Sequence, residues 1–253
     1  MESTLQTKIN RAITLLKEFV PYEGYHLAFS GGKDSICTYH LATMANVKYR
    51  AYYAVTTVDP PDIILFIKKY FPDVQFLRPK RSMFQLIRYK KILPTRKSAY
   101  CCEHLKEYAG IGELVVQGIR WQESYARSKR NFFEIDERKR MKGKMYLNPI
   151  IDWTEKDVWN YIRLNKLPFP DLYLGCFSRI GCIGCPKAYY KKRQREFQLY
   201  PKFKNAYLVA IRKAKNEGAF KDFDTAEDVF DWWLSNESKK VWFAKKNQLS
   251  IQF

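Results

Sequence analysis

The sequence has no run of eighteen uncharged apolar residues; its longest uncharged stretch is the thirteen residues Ser35 to Val47, which includes several polar groups. A membrane-spanning helix needs about 20 mostly apolar residues, so no span is expected. The opening Met1 to Lys8 has neither the apolar centre of a secretion signal nor the Arg-rich, acid-poor look of a transit peptide. The expected location is therefore cytoplasmic. Histidine is scarce: His26, His40 and His104 share no spacing and are expected to be structural. Internal repeats and low-complexity linkers are absent. Six cysteines are few for a disulfide scaffold in a chain of 253 residues, and a reducing compartment would oppose bridges, which leaves metal or redox chemistry as the better reading. Acidic residues are outnumbered, 26 against 45 Lys plus Arg, for a net charge of +19. Such a surplus attracts nucleic acid, anionic nucleotides or acidic partners, and charge alone does not choose among them.

What is present is a folding chain, 46% apolar and 16% aromatic, long enough to bury a substantial core. Leu5, Ile9, Ile13, Leu16 and Phe19 recur at helical spacing, so an amphipathic helix opens the chain. Tyr25 to Phe29 then reads as a short buried strand that stops at Ser30-Gly31-Gly32-Lys33-Asp34-Ser35 and leads into a helix through Met44. Tyr49 to Thr57 is a second strand, Pro60-Pro61 opens a helix through Tyr70, Val74 to Leu77 is a third strand and Leu114 to Gly118 a fourth. This alternation predicts an α/β fold, a mainly parallel twisted sheet with helices on both faces. From Arg120 a cation-rich segment, Arg127 to Lys144, reads as an exposed loop or short hairpin. Thr154 and Asp157 have the spacing of a capping box that starts another helix. The last sixty residues are helical in pattern, with Val229, Trp232 and Trp233 read as core packing.

A Ser-Gly-Gly-Lys-Asp-Ser hexapeptide between a strand and a helix suits a phosphate. Two glycines allow close approach, and amides at the helix start converge on an anion. Lys33 can add a charge, Ser30 and Ser35 can donate, and Asp34 can cap the helix or help hold Mg2+. The spacing is not that of the glycine-rich loop of ordinary nucleotide triphosphatases. Arg120 and Arg127 are candidate clamps for phosphate or sulfate oxygens, with ion pairs to Glu123 or Glu134 as the competing reading. Cys101-Cys102 and Cys182-x-x-Cys185 form two pairs that can build one four-thiolate site. Adjacent cysteines suit a cluster that offers each sulfur its own iron better than a single tetrahedral ion, so iron-sulfur is favoured and zinc is the alternative. Cys37 reads as a small buried hydrophobe, and Cys176 as a spare thiol, an alternative ligand or a sulfur carrier.

The hexapeptide after the first strand resembles the PP-loop of the adenine nucleotide alpha hydrolase superfamily. The segments Gly118 to Ser124 with Arg127, Pro149 to Trp159, and Gly181 to Pro186 then resemble the phosphoadenosine phosphosulfate reductase-like family, over about residues 23 to 190. The resemblance implies a PP-loop nucleotide-binding domain with a cysteine-ligated metal site over 1–190 and a helical C-terminal extension over 191–253. It also implies an ATP or adenylyl sulfonucleotide ligand gripped by Ser30, Gly31, Gly32, Lys33, Asp34 and Ser35. Thr57, Val58, Asp59, Gly118 and Arg120 would lie near the adenosine, and a [4Fe-4S] cluster would sit on Cys101, Cys102, Cys182 and Cys185. Sheet physics agrees for the nucleotide, because ligands of open parallel sheets bind at the carboxyl ends of strands.

The chain departs from the reductase pattern in having no cysteine beyond Cys185, where those enzymes carry a nucleophile. The leading expectation is accordingly ATP cleavage between the α- and β-phosphates coupled to iron-sulfur-assisted sulfur transfer, with nucleic acid as acceptor and a sulfur-donor or reductant protein as partner. The alternatives are a sulfonucleotide reductase that forms sulfite and a non-catalytic nucleotide- or nucleic-acid-binding subunit. Basic stretches from Arg78 to Lys97 and from Lys187 to Arg195, the second containing Tyr189 and Tyr190, are the expected nucleic-acid contacts.

Overall fold

The computed structural model describes residues 4–175 and 177–250. In chain order its elements are α1 (Leu5–Glu18), β1 (Tyr25–Ala28), α2 (Lys33–Met44), β2 (Tyr49–Ala54), α3 (Pro61–Tyr70), β3 (Gln75–Leu77), α4 (Met83–Lys90) and α5 (Tyr100–Cys102). After a π turn over Glu103–Glu107 come β4 (Leu114–Gln117), α6 (Tyr125–Ser128), β5 (Phe133–Ile135), β6 (Met145–Leu147), α7 (Glu155–Leu164) and α8 (Leu172–Gly175). The chain ends in α9 (Tyr190–Leu199), α10 (Pro201–Asn216), α11 (Ala226–Ser235) and α12 (Lys239–Ser250).

Two compact units divide these elements. The first holds residues 1–55, 61–78 and 107–180. Its six strands run β3-β2-β1-β4-β6-β5, parallel throughout except for the antiparallel β5–β6 pair. This is the α/β class that the alternation of strands and helices predicts. The two central strands are short and almost wholly apolar because both faces are covered: Tyr25, His26 and Leu27 of β1 and Leu114, Val115 and Val116 of β4 are all buried. Helix α1 buries the expected stripe at Ile9, Ala12 and Leu16, and its N-terminus is capped by Thr4, whose hydroxyl accepts from the Thr7 amide. Helix α7 starts at the predicted capping box, with Thr154 and Asp157 exchanging side-chain and backbone bonds.

Of the two expectations for the cation-rich segment, a loop or a short hairpin, the structure shows the hairpin. Strands β5 and β6 form it, and β6 extends the sheet by pairing Met145, Tyr146 and Leu147 with β4. Lys144 is 3% exposed and donates to the carbonyls of Glu107 (2.9 Å) and Ala109 (2.6 Å), so a cation from the run closes the end of the π turn.

The second unit comprises residues 56–60, 79–106 and 181–253. Its own core joins Met83, Leu86 and Ile87 of α4 to Phe197, Tyr207, Ile211, Val229, Phe230 and Trp233. Residues 191–253 are helical over α9–α12 within the described range, and they share this unit with α4, α5 and the second cysteine pair. Trp233 is 4% exposed, as expected for core packing, and its indole N–H donates to the Pro94 carbonyl at 2.7 Å. No helix among the described residues is long and apolar enough to cross a membrane.

Candidate nucleotide and cysteine sites

The first site lies where β1 ends and α2 begins. Gly31 takes a left-handed φ of +70°, and a Cβ there would sit 3.0 Å from Ile67, so the turn closes onto α3 only with glycine. Gly32 is the N-cap of α2, and no side chain caps it. Asp34 lies inside the first turn instead, where its charge complements the helix dipole. The turn is held from within: the Ser35 hydroxyl donates to the Gly32 carbonyl (2.8 Å) and accepts from the Ser30 amide (3.2 Å) and hydroxyl (3.1 Å). Amides at an uncapped helix start need acceptors, and an anion is the best one.

Lys33 is 3% exposed, and its Nζ donates to the Ser178 carbonyl (3.3 Å) and lies 3.6 Å from both the Asp34 and Glu155 carboxylates. Tyr173 of α8 completes the surround: its hydroxyl accepts from the Lys33 amide at 3.0 Å, and the Lys33 ammonium sits 5.4 Å from its ring centre. Arg120, at the end of β4, is 4% exposed and donates through Nε to Asp34 Oδ1 at 2.5 Å. Gly118 makes this approach possible, because a Cβ there would stand 2.7 Å from the Asp34 carbonyl oxygen. Arg127 pairs with Glu123, while Arg130 takes Glu134. Burial lowers the Arg127 pKa against the opposing pull of Glu123. Ser30, Gly31, Gly32, Lys33, Asp34, Ser35, Gly118 and Arg120 therefore converge. Glu155 and Tyr173 join them without a signal in the sequence beyond lying in helices that pack nearby.

The second site is in the other unit. Cys101 lies within α5 and is 7% exposed, and Cys182 and Cys185 flank a turn in which Gly184 has φ +72°. A Cβ at Gly184 would lie 2.5 Å from the Phe197 ring, and its amide donates to Glu196 Oε2 at 2.9 Å. The four sulfurs feel one another. A hydrogen bond with Cys102 raises the Cys101 thiol far above its ordinary pKa, with burial and the Cys102, Cys182 and Cys185 sulfurs adding to the rise. Desolvation also raises the Cys182 thiol, opposed by the Lys106 ammonium and by a hydrogen bond with Thr56. Thr56 in turn donates from its amide and hydroxyl to Asp59, each at 2.7 Å, and the Val58 carbonyl accepts from the Ile183 amide at 2.7 Å. Thr57 has φ +64° and accepts from the Met83 amide at 2.9 Å. Thr57, Val58 and Asp59 thus brace the cysteine turn, and Thr56 and Lys106 are contacts the sequence did not flag.

Among the described residues no three His, Cys, Asp or Glu side chains stand where one metal ion could take them all. A single tetrahedral ion, which would hold thiolates about 2.3 Å from itself, does not match that spread. Cys176 lies outside the described residues. Cys37 is wholly buried, its thiol donating toward the Val158 carbonyl at 3.8 Å, in keeping with a core role. Tyr25, His26 and His40 bond within the core, His26 to Glu113 (2.8 Å) and His40 to the Tyr161 hydroxyl (2.7 Å), so these two histidines are structural.

Against this geometry, residues 24–188 match the family model described as the phosphoadenosine phosphosulfate reductase domain. The chain belongs to that family. An uncharacterized protein of Methanocaldococcus jannaschii is 32% identical over 197 residues, covering 74% of this chain and 47% of the relative. The adenosine 5'-phosphosulfate reductase of Staphylococcus haemolyticus is 31% identical over 132 residues, covering 49% of this chain and 53% of that protein. The chain thus matches about half the length of these relatives. Among solved structures, Candida glabrata FMN adenylyltransferase aligns with a TM-score of 0.52 at 12% identity, over 71% of this chain and 62% of that chain. That likeness is one of fold.

Proposed function

We propose that this chain is an adenine-nucleotide enzyme that acts on an adenylyl sulfonucleotide, with the phosphate on the Ser30 to Ser35 turn and an iron-sulfur centre on Cys101, Cys102, Cys182 and Cys185. The observation that carries the reading is the uncapped start of α2 beside the nearly buried ammonium of Lys33. Amides and a desolvated cation together form a pre-set cradle for charge that develops on a leaving phosphate. The 31% identity to the adenosine 5'-phosphosulfate reductase of Staphylococcus haemolyticus supports the sulfonucleotide as substrate.

The chemistry follows from that placement. A thiolate attacks the sulfur of the sulfonucleotide, the bond from sulfur to the phosphate oxygen breaks, and the nucleoside phosphate leaves carrying the electron pair. The turn amides and Lys33 hold that phosphate, while Arg120 is fixed by Asp34 so that its remaining donors can face an oxyanion. A second thiol then releases sulfite from the S-sulfonated thiol and leaves a disulfide. The thiols come from Cys176 or from an external dithiol protein.

Four soft sulfur donors, three of which push up the thiol of the fourth, Cys101, would suit a multi-iron cluster that gives each thiolate its own iron. Such a centre, when bound, supplies electrostatic and redox capacity close to the cysteine unit. Magnesium fits less well: the Asp34 carboxylate is already bonded to Arg120 and faces Lys33, so no step uses it.

The test is sulfite and nucleoside phosphate release from adenylyl and phosphoadenylyl sulfate under anaerobic conditions, with reduced thioredoxin as the dithiol. Lys33→Ala should lower turnover at least tenfold; no sulfite from either substrate with the wild type rejects the reading. A second reading, α–β cleavage of ATP with sulfur transfer to nucleic acid, is favoured by exposed Tyr89 and Tyr189 among cations, Arg81 lying 4.3 Å from the Tyr89 ring. Pyrophosphate release that depends on added RNA or DNA would establish it.

A further inference from the structure

The cations around the Ser30 to Ser35 turn already face carboxylates. Lys33 lies 3.6 Å from both Asp34 and Glu155. Arg120 donates to Asp34 at 2.5 Å. Glu123 takes Arg127 through one oxygen and stands 3.5 Å from Arg179 through the other. An incoming anion therefore meets four cations set against three carboxylates, a cradle whose charge is largely balanced. Such a balance favours a ligand of low charge over a polyanion, because each extra negative charge on the ligand is placed against a like charge of the site.

Of the three carboxylates, Glu155 is the one placed to choose between ligands. Asp34 is committed to Arg120, and Glu123 is shared by two arginines. The Glu155 side chain is 51% exposed, so its charge stands at the edge of the site beside Lys33 instead of inside a closed pair. Its backbone is fixed. Glu155 is the first residue of α7, directly after the Thr154 cap, and its amide donates to Gln122 Oε1 at 2.7 Å. The same oxygen accepts from Arg120 Nη1 at 3.2 Å, so the start of α7 is held to the strand end that carries the arginine clamp.

ATP and an adenylyl sulfonucleotide share their adenosine, so a site that tells them apart does so at the anionic end. A phosphosulfate ends in a sulfate with a single negative charge, whereas a terminal phosphate carries about two near neutral pH. We propose that Glu155 is a specificity-determining residue, a fixed negative charge that admits one phosphoryl group with its sulfate onto the turn and disfavours the di- and triphosphate chains of ADP and ATP. This rests on the reading of the turn as the phosphate site of an adenylyl sulfonucleotide, and it adds the residue that discriminates against ATP.

The experiment titrates the full chain with AMP, ADP and ATP in the presence of EDTA, for wild type, Glu155→Gln and Glu155→Asp, by calorimetry. Affinity of the wild type should fall in that order. Glu155→Gln should tighten ATP about tenfold and AMP by less than about threefold, as removal of one like charge close to the ligand does. Glu155→Asp, which keeps the charge, should keep the wild-type order. Added salt should narrow the wild-type discrimination, because the charge is exposed and screened. The ratio of ATP to AMP affinity is a readout that loss of packing would not move, since that would weaken all three nucleotides alike. An unchanged ratio in Glu155→Gln overturns the assignment, and so does a wild type that binds ATP as tightly as AMP. With Mg2+ added, weaker ATP binding by Glu155→Gln than by wild type would make Glu155 a metal ligand and overturn its role as a charge filter. If the wild type binds none of the three, the nucleotide reading of the turn falls and Glu155 with it. Binding in the expected order without sulfite release from a sulfonucleotide rejects the proposed reaction while the charge filter stands.

Discussion

The Tyr173 hydroxyl accepts a hydrogen bond from the Lys33 amide at 3.0 Å, at the first helical residue of α2. It also stands 3.3 Å from where a Gly32 side chain would begin. A phenol oxygen thus fills the position that a phosphate oxygen would take on the same amide. Binding an anion there has to displace it. Tyr173→Phe frees the amide in the empty protein, and a neutral hydrogen bond of about 1 kcal/mol translates into roughly fivefold tighter binding of pyrophosphate. Titration calorimetry with pyrophosphate measures this directly; weaker binding by the Phe variant would make Tyr173 a ligand contact instead of a competitor.

Arg120 and Asp34 tie the end of β4 to the first turn of α2 across the sheet-to-helix corner, at 2.5 Å with Arg120 only 4% exposed. Removing one partner strands the other. Arg120→Met is expected to destabilise the protein by about 3 kcal/mol, within the range for breaking a buried pair, and Asp34→Asn by less because the Asp34 side chain is 18% exposed. The double variant should recover more than 1 kcal/mol of the summed loss, as interacting neighbours do. Urea denaturation of the four proteins completes the cycle, and strict additivity would mean that the pair contributes no coupling.

The site in the first unit was largely legible in the sequence, because its parts are local. Two glycines after an apolar strand force a turn, and Thr154 with Asp157 marks a helix start wherever the rest of the chain lies. Residues that arrive from a distance were not legible: Tyr173 and Glu155 reach Lys33 only through packing of α7 and α8, and neither stands out from its neighbours in sequence. Cationic runs misled for a related reason. Charge predicts exposure on average, yet Lys144 is buried capping carbonyls and Arg193 is buried on an indole. Which member of a run turns inward depends on partners that sequence spacing does not name. The β5–β6 hairpin was one of two readings of its segment, beside an exposed loop, since three residues per strand give too little alternation to decide between them.

Gly118 sets how closely β4 can approach α2. With a methyl group placed 2.7 Å from the Asp34 carbonyl oxygen and 2.8 Å from the Thr38 hydroxyl, neither the helix backbone nor the strand can stay where it is. Gly118→Ala is therefore expected to lose about 1–3 kcal/mol, the usual penalty of overpacking, and to weaken nucleotide binding by moving Arg120. Both losses should appear together, in thermal melting and in nucleotide titration. An alanine variant with wild-type melting would show that this corner yields freely.

Buried His26 and half-buried His40 make stability depend on acidity. Burial lowers the pKa of His26 below its ordinary 6.5, in spite of the opposing bond to Glu113, and burial lowers that of His40 as well. With a depressed value in the folded state, the unfolded chain binds more protons as pH falls below about 6.5, so stability rises with pH through that window. The contribution is present above the unfolded value and disappears as pH drops through the folded one. Denaturant midpoints should accordingly decline between pH 7.5 and pH 5, and His26→Gln with His40→Gln should flatten the decline, since glutamine keeps a hydrogen-bonding side chain but takes no proton. If the double variant declined as steeply as the wild type, the acid sensitivity would have to reside in carboxylates such as Asp157, whose pKa is lowered as its bonds to Lys8 and Thr154 outweigh burial and whose loss of charge begins at lower pH.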